Sequence, residues 1–275
     1  MDINGAVSER KKLVWCGGTP FLASRSVAEE KAIALSYCGS TYAVMMATPA
    51  DLKDFGIGFS ITEGIIARAE EIDDLEIVEN ELGIELRMWL DPNRAQSIAA
   101  RRRAIAGPVG CGLCGIESLE QACAAPRQVR SRSTFLARDV LNAMRAMPAL
   151  QHLNQKTRAV HAAAFWCAST GTGAVREDVG RHNALDKLAG ALTRDNVPCA
   201  SGAILLTSRV SVEMVQKTAM MGVPLLVAVS APTTLAIETA DQAGITLVAI
   251  AREDGYEVFT HPDRIIFAEN RTVAA

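Results

Sequence analysis

The sequence lacks a second pair of cysteines to match the one it has. Of its seven cysteines, only Cys111 and Cys114 lie three positions apart. A structural zinc site usually takes four thiolate or imidazole ligands, so this pair alone does not make one. Cys123 and one of the four histidines could still complete the set, and a zinc site stays an open alternative.

Several further features are missing, and each excludes a class of protein. The first four residues give no sign of a secretory signal, and the cysteine count is odd. We therefore expect a cytoplasmic protein with reduced thiols and no structural disulfide. No apolar run is long enough to span a membrane, and a net charge of −3 argues against general nucleic-acid binding. We expect neither a membrane nor a nucleic acid as a partner.

The cysteine pair lies in a glycine-rich stretch, Gly107 to Gly115, which reads GPVGCGLCG. Glycine permits backbone conformations with positive φ and close approach by other groups, so this stretch presents sulfur instead of burying it. Residues 116–122 have the pattern of a helix, whose N-terminus would favour a thiolate over a thiol. Eight arginines and no lysine lie between Arg94 and Arg138. The sequence thus predicts a reactive sulfur site that faces an anionic ligand.

Two other chemistries use cysteines at this spacing. A thioredoxin-like redox pair normally follows an early strand of a βαβ unit, whereas this pair follows a predicted helix and a Gly-Pro break. A zinc deaminase needs a His-x-Glu motif before its Pro-Cys-x-x-Cys motif. No histidine precedes Cys111 anywhere in the chain, which excludes the deaminase reaction.

The first half of the chain has the pattern of a mixed α+β lobe. Alternating residues predict β-hairpins over 30–48 and 75–90, and in the second of these Ile84, Leu86 and Met88 mark the buried face. Thr48-Pro49 predicts a helix with Thr48 as its N-cap. Another helix is predicted from Asp91 to Gly107, and its arginine run is either a solvated face or part of the sulfur site.

Beyond residue 126 the pattern changes to alternating strands and helices, so we place one domain boundary there and predict domains 1–126 and 127–275. A strand over 160–169 is expected to turn at Gly171-Thr172-Gly173. Apolar strands near residues 203, 225 and 246 alternate with helices, which predicts a parallel sheet and an α/β fold class. Its carboxyl ends carry the Ser, Thr, Arg and Gly residues typical of phosphate sites and also of ordinary caps.

One stretch of this second half is especially dense in chemistry, residues 176–187 (REDVGRHNALDK). One interpretation is a capped helix start with surface ion pairs that contribute little. The other is a ligand-orienting or acid/base cluster, for which Asp178, Arg181 and His182 are the best candidates because histidine titrates near neutral pH.

These motifs together resemble the FdhD family, the accessory sulfurtransferases of formate dehydrogenase. The matching segments are 110–115 (GCGLCG), 176–184 (REDVGRHNA), 208–211 (SRVS) and 260–264 (THPDR), in the expected order. The resemblance implies that sulfur comes as a persulfide from a cysteine desulfurase. The sulfur then passes to the molybdenum (or tungsten) bis-guanine-dinucleotide cofactor destined for formate dehydrogenase. The resemblance also implies a cytidine-deaminase-like α/β/α C-terminal domain and a homodimer.

Carried over by position, the resemblance implies roles for particular residues. Cys111 would carry the persulfide and Cys114 would assist it, with no metal bound by the protein itself. The nucleotide part of the acceptor would meet the loop Ile250, Ala251, Arg252, Glu253, Asp254 and Gly255. The family pattern leads us to expect an aromatic residue, a glycine and two basic residues there, whereas only Arg252 is basic. A cofactor-binding chaperone without sulfur chemistry and a zinc-stabilised interaction protein remain the alternatives.

Overall fold

The computed structural model describes residues 5–92, 94–95 and 125–267. The chain forms two compact units, and it passes between them several times. The first unit contains residues 1–124, 151–163 and 175–197, and the second contains 125–150, 164–174 and 198–275. The first crossing, between residues 124 and 125, lies near the predicted boundary, and two later segments, 151–163 and 175–197, belong to the first unit. The division into domains 1–126 and 127–275 stays a prediction.

The first unit contains a two-stranded hairpin and a four-stranded sheet. The hairpin pairs β1 (Val7–Val14) with β2 (Phe21–Ala28). The sheet has the order β4-β3-β6-β5, formed by β3 (Lys31–Tyr37), β4 (Ser40–Ala47), β5 (Ile72–Asn80) and β6 (Gly83–Leu90). Both predicted hairpins are confirmed, because β3 pairs with β4 and β5 pairs with β6, each in antiparallel orientation.

The α-helices of this unit that the structure describes along their whole length are α1 (Leu52–Thr62), α3 (His152–Thr157) and α4 (Arg181–Arg194). Phe55 and Phe59 of α1 are buried in the sheet's core cluster, as their spacing predicts. The predicted start of this helix is wrong. The residue before α1 is Asp51, with φ 54°, whereas the Thr48 backbone N–H donates to the Asp178 carboxylate at 2.9 Å. The Thr48 side-chain oxygen, which a cap would use, also has a long-range partner, because it accepts from the Val179 backbone N–H at 3.2 Å.

The second unit is built around a six-stranded sheet with the order β13-β12-β11-β10-β8-β9. Its strands are β8 (His161–Cys167), β9 (Gly171–Asp178), β10 (Gly202–Leu206), β11 (Leu225–Ala228), β12 (Thr246–Ala249) and β13 (Glu257–Val258), and the chain passes between units within β8 and β9. The predicted parallel pairing of β10, β11 and β12 is confirmed. The turn after β8 falls at residues 168–170, so Gly171 begins a strand instead of forming the turn.

Helices α2 (Ala137–Leu150), α5 (Val212–Met220) and α6 (Thr234–Ala243) belong to this unit, and α5 packs against α6. Short strands β7 (Phe135–Leu136) and β14 (Ile265–Ile266) pair in parallel. Strands β10, β11 and β12 are buried along their whole length. This burial explains their continuous apolar sequences, and the mixed α/β class is confirmed.

Candidate functional site

The predicted sulfur site falls in the part of the chain between the described residues 95 and 125. Cys111 and Cys114, the helix expected after them, and Arg101 to Arg103 lie outside the described residues. The same holds for Cys123, so the zinc alternative that includes it is untested. Among the residues that the structure does describe, no group of three or more His, Cys, Asp or Glu side chains could hold a metal ion.

Asp178, at the end of β9, is the centre of a buried hydrogen-bond network in the first unit. Its Oδ2 accepts from Lys187 Nζ at 2.6 Å and from the Thr48 backbone N–H at 2.9 Å. Its Oδ1 accepts from the Gly180 N–H at 2.8 Å and from Asn183 Nδ2 at 3.0 Å. An ionised carboxylate has about four lone-pair positions, so this one has no remaining capacity for a ligand.

The network is fixed by the helix that follows it. Asn183 and Lys187 are four positions apart on α4, so both face the same side, and both reach Asp178. Lys187 and Asp178 side chains are completely buried, and Lys187 Nζ also donates to the Thr48 carbonyl at 2.8 Å. Buried charges are tolerated when they are paired and hydrogen-bonded. Asp178 therefore has a structural role. The interpretation as a capped helix start predicted ion pairs on the surface, whereas this ion pair is buried.

Arg181 and His182 begin α4 and are partly buried. A third ionisable group of the same unit, His161, has its pKa lowered by burial and by the nearby positive charge of Arg181. These cationic and titratable groups thus lie together at the start of a helix, where the dipole disfavours positive charge. The ligand-orienting interpretation remains a prediction for Arg181 and His182.

A second buried ion-pair network in this unit was not anticipated. The Asp54 carboxylate, 3% exposed, accepts from Arg176 Nη2 at 2.7 Å and from Arg194 Nη1 at 2.6 Å. Arg176 belongs to the chemically dense stretch, but its sequence position gives no indication of Asp54, 122 residues earlier. The two guanidinium groups fasten α1 to β9 and α4, which is a structural role.

The predicted nucleotide loop follows β12 in the second unit. Ile250 has φ 52°, an uncommon conformation for a β-branched residue. Its N–H donates to the Ser230 carbonyl at 3.3 Å, and the Ala251 N–H donates to the Ala228 carbonyl at 3.0 Å. These two hydrogen bonds connect the start of the loop to the end of β11. Strain of this kind persists only where the surroundings impose it, and it is common at functional sites.

The rest of the loop closes as a turn and leaves its charged side chains in solvent. The Arg252 N–H donates to the Gly255 carbonyl at 2.8 Å. Arg145 of α2 donates to the Glu253 carbonyl, at 3.0 Å from Nε. The side chains of Arg252, Glu253 and Asp254 are exposed. Arg145 therefore steadies the loop backbone, a role that the sequence pattern did not indicate.

The neighbouring strand ends serve partly as ordinary caps. Thr233 Oγ1 accepts from the Ala236 N–H at 3.3 Å and thereby caps α6. Ser208 Oγ donates to the Arg209 carbonyl at 2.9 Å. The structure brings Ser230 beside Ile250, as parallel strands require.

A membrane-spanning helix is absent from the part of the chain that the structure describes.

The fold and these sites define a mixed α/β protein of two units. The family model described as FdhD/NarQ family matches residues 28–266. A protein named "Sulfur carrier protein FdhD" from Agrobacterium fabrum is 55% identical over 250 residues, 90% of this chain and 92% of that protein. One of the same name from Cupriavidus necator is 48% identical over 251 residues, 91% of this chain and 87% of that protein.

A solved structure agrees with these sequence matches. It is a crystal structure of a protein described as a formate dehydrogenase accessory protein, from Desulfotalea psychrophila. The TM-score is 0.73, with 25% identity over 95% of this chain and all of that chain. The chain belongs to the FdhD/NarQ family. The family resemblance drawn from the sequence motifs is thus confirmed, whereas the roles of Cys111, Cys114 and the loop 250–255 stay predictions.

Proposed function

We propose that this chain is a sulfur carrier that serves the maturation of formate dehydrogenase. The observation that supports this proposal is the 55% identity to a relative named as a sulfur carrier, over 90% of the chain. The matched family region, residues 28–266, includes the Cys-x-x-Cys pair. We propose that the carrier works in the cytoplasm, where thiols stay reduced, and the family resemblance leads us to propose that it forms a homodimer.

The proposed reaction is a thiolate exchange of sulfane sulfur. The Cys111 thiolate attacks the outer sulfur of a persulfide on a cysteine desulfurase. A new S–S bond forms on Cys111, the donor's S–S bond breaks, and the donor cysteine leaves as a thiolate. Cys114 would assist transfer or protect the persulfide. In the assisting role, the Cys114 thiolate attacks the inner sulfur of the Cys111 persulfide, a Cys111–Cys114 disulfide forms, and the outer sulfur leaves as sulfide with the electron pair of the broken S–S bond. That sulfide passes to the molybdenum or tungsten bis-guanine-dinucleotide cofactor, which is the substrate and not a resident group.

The loop of residues 250–255 is our proposed contact for the nucleotide part of that acceptor. Two observations support it: the loop lies at the carboxyl end of a parallel strand, where ligands of such sheets gather, and its charged side chains are exposed. Arg252 suits a phosphate, and Glu253 or Asp254 suits the N1 and N2 donors of guanine. The acidic residues that depart from the family pattern would then recognise guanine by accepting its hydrogen bonds.

Intact mass spectrometry after incubation with a cysteine desulfurase and cysteine tests the carrier proposal. We expect a gain of one sulfur atom in the wild type and in Cys114→Ser, and no gain in Cys111→Ser. Formate dehydrogenase maturation should be abolished by Cys111→Ser, because an alcohol cannot carry sulfane sulfur. Full maturation by Cys111→Ser would refute the proposal. If Cys111→Ser loses maturation but the wild type shows no mass gain, the result would instead indicate a chaperone without sulfur transfer.

The sharpest control for this measurement is another thiol of the same chain. Hydrogen bonds to Cys167 from Ser169, first by its hydroxyl and then by its backbone N–H, lower the pKa of that thiol. Burial raises the pKa of Cys199 to about 11. Cys167 is therefore the competing nucleophile, and Cys167→Ser should leave the mass gain unchanged. Metal analysis completes the test, since about one zinc per chain that is lost with Cys111 would favour the zinc-stabilised alternative.

A further inference from the structure

The hairpin of β1 and β2 ends in an exposed apolar tip. Leu13 and Leu22 are directly opposite each other across the strands and are 67% and 80% exposed. Trp15 is 72% exposed and Phe21 is 55% exposed. Single exposed apolar residues are ordinary, but a cluster of four at one tip indicates an interaction site. The family model begins at residue 28, the last residue of β2, so the tip of this hairpin lies outside the region that the model matches.

The stem of the hairpin adds positive charge next to the tip. Lys11 and Lys12 precede Leu13, and neither makes an ion pair with any residue in the described part of the chain. Arg10 and Arg25 lie directly opposite each other, a like-charge pairing that costs stability. Arg10 also pairs with Glu29 at 3.3 Å. The occupant that fits this hairpin is therefore an acidic surface with an apolar recess.

The same unit of the chain carries a recess of that chemistry. A cavity of about 290 Å³ lies between α1 and β5, lined by the apolar Ile57, Ile72 and Leu75 and by Asp73 and Asp74. Neither aspartate makes an ion pair with a residue that the structure describes, and both are exposed. Lys53 and Arg194 also line the cavity, but Asp54 binds Arg194 at 2.6 Å. Two acids thus face one uncompensated lysine.

We propose that the hairpin tip of one copy docks into this cavity on a second copy of the chain. Trp15 supplies the apolar anchor, and tryptophan is the residue type most enriched among residues that dominate binding energy. Lys11 and Lys12 meet Asp73 and Asp74 at the rim. Because tip and cavity are different surfaces, the contact is heterologous; it closes into a dimer only if each copy donates its tip to the other.

Sedimentation velocity of the full chain over a concentration series tests this contact. Trp15→Ser should raise the dissociation constant for self-association about tenfold or more. The matched control is Leu82→Ser, because Leu82 is 92% exposed on the turn after β5 and should have no effect. An unchanged dissociation constant with Trp15→Ser, or a wild-type chain that stays monomeric, would overturn the proposal.

Charge reversal gives a stricter form of the test. The pair Lys11→Glu with Lys12→Glu should weaken self-association, and so should the pair Asp73→Lys with Asp74→Lys. The variant that combines all four substitutions should recover it, since the attraction is restored with opposite signs. Weakening in both pairs without recovery would refute the assigned contact. The hairpin variants are also tested for co-sedimentation with vesicles of anionic phospholipid. If they lose binding to vesicles and self-associate as the wild type does, the tip is a lipid anchor and the proposal fails.

Disulfide trapping then locates the tip. Cys16 lies beside Trp15 and is exposed, and Ala69 lines the cavity. With Ala69→Cys, oxidation of the two thiols by diamide should link two chains. The link should disappear when Cys16→Ser is added, and Leu82→Cys should not replace Ala69→Cys. Linking that is equal at both positions would place the tip elsewhere. Persulfide loading of Cys111, measured by mass in the same variants, should be unchanged, which separates this proposal from the sulfur-carrier proposal.

Discussion

The charge on Asp178 is stabilised entirely by groups of the protein. Four donors surround its carboxylate, one of them the completely buried Lys187 ammonium. Removal of one partner from a buried ion pair leaves the other charged and desolvated, which costs more than the pair itself contributes. The residue joins the end of β9 to the start of α4 through near neighbours in sequence, and to the end of β4 through the Thr48 N–H, 130 residues away.

Asp178→Asn should therefore lower the free energy of unfolding by about 3–5 kcal/mol, because Lys187 would lose its counter-charge. Chemical denaturation measures the change. The matched control is Asp195→Asn: Asp195 pairs with Arg194 at 3.4 Å on the surface, so a change of about 0–1 kcal/mol is expected. Full stability of Asp178→Asn together with lost maturation would return Asp178 to the list of ligand-binding residues.

A close contact between two helices holds the first unit together at the scale of its elements. Gly58 of α1 lies against α4, and a Cβ built at Gly58 would be 1.7 Å from the Asp186 carbonyl oxygen. Gly190 of α4 is the reciprocal position, where a Cβ would lie 1.9 Å from the Asp54 carbonyl oxygen. Each helix thus accepts the entropic cost of an interior glycine, because only glycine permits this approach of the two backbones.

Gly58→Ala should destabilise the protein by about 1–3 kcal/mol or more, since the obstructing atoms are backbone and the helices must separate. Gly173→Ala is the control, because a Cβ there meets nothing within 4 Å and a change within about 0.5 kcal/mol is expected. Thermal unfolding of both variants measures the difference. Equal melting temperatures would mean that the two helices adjust without cost.

The elements themselves were largely predictable, because their patterns are local. Alternation in β6 and continuous apolar runs in β10, β11 and β12 follow from which faces are buried. What escaped prediction depends on distant partners. Thr48 has the sequence pattern of a helix cap, but in the fold its side-chain oxygen accepts from the Val179 N–H, 131 residues later. Arg176 likewise finds Asp54 only in the folded chain, and the hydrogen bond from Arg145 to the loop has no counterpart in the local sequence.

In the whole molecule, the proposed function separates into two tasks on different parts of the chain. The predicted sulfur carrier is Cys111, and the predicted nucleotide contact is the loop 250–255 of the second unit. If the tasks are independent, a variant that removes one should leave the other intact. The two alternatives that remain, a chaperone and a zinc-stabilised interaction protein, predict no such pair of separable defects.

Free GDP, as a fragment of the acceptor, should therefore bind Cys111→Ser as tightly as it binds the wild type. Arg252→Ala should weaken GDP and ADP alike, because it removes a phosphate partner. Glu253→Ala should weaken GDP alone and cancel a preference over ADP of about 1–3 kcal/mol, since only guanine donates from N1 and N2. Asp254→Ala is compared with it, because the two acids are alternatives for this contact, and only the acid that accepts from guanine should show the loss.

Calorimetry measures these affinities, and intact mass measures sulfur loading in the same variants. The fixed main chain of the loop 250–255 makes the expected effect of each side-chain truncation specific. The bonds from Ile250, Ala251 and Arg145 fix the loop's main chain, so a side-chain truncation at position 252 or 253 removes one contact without releasing the loop. GDP binding that ignores both truncations, or that depends on Cys111, would move the acceptor site to another part of the chain.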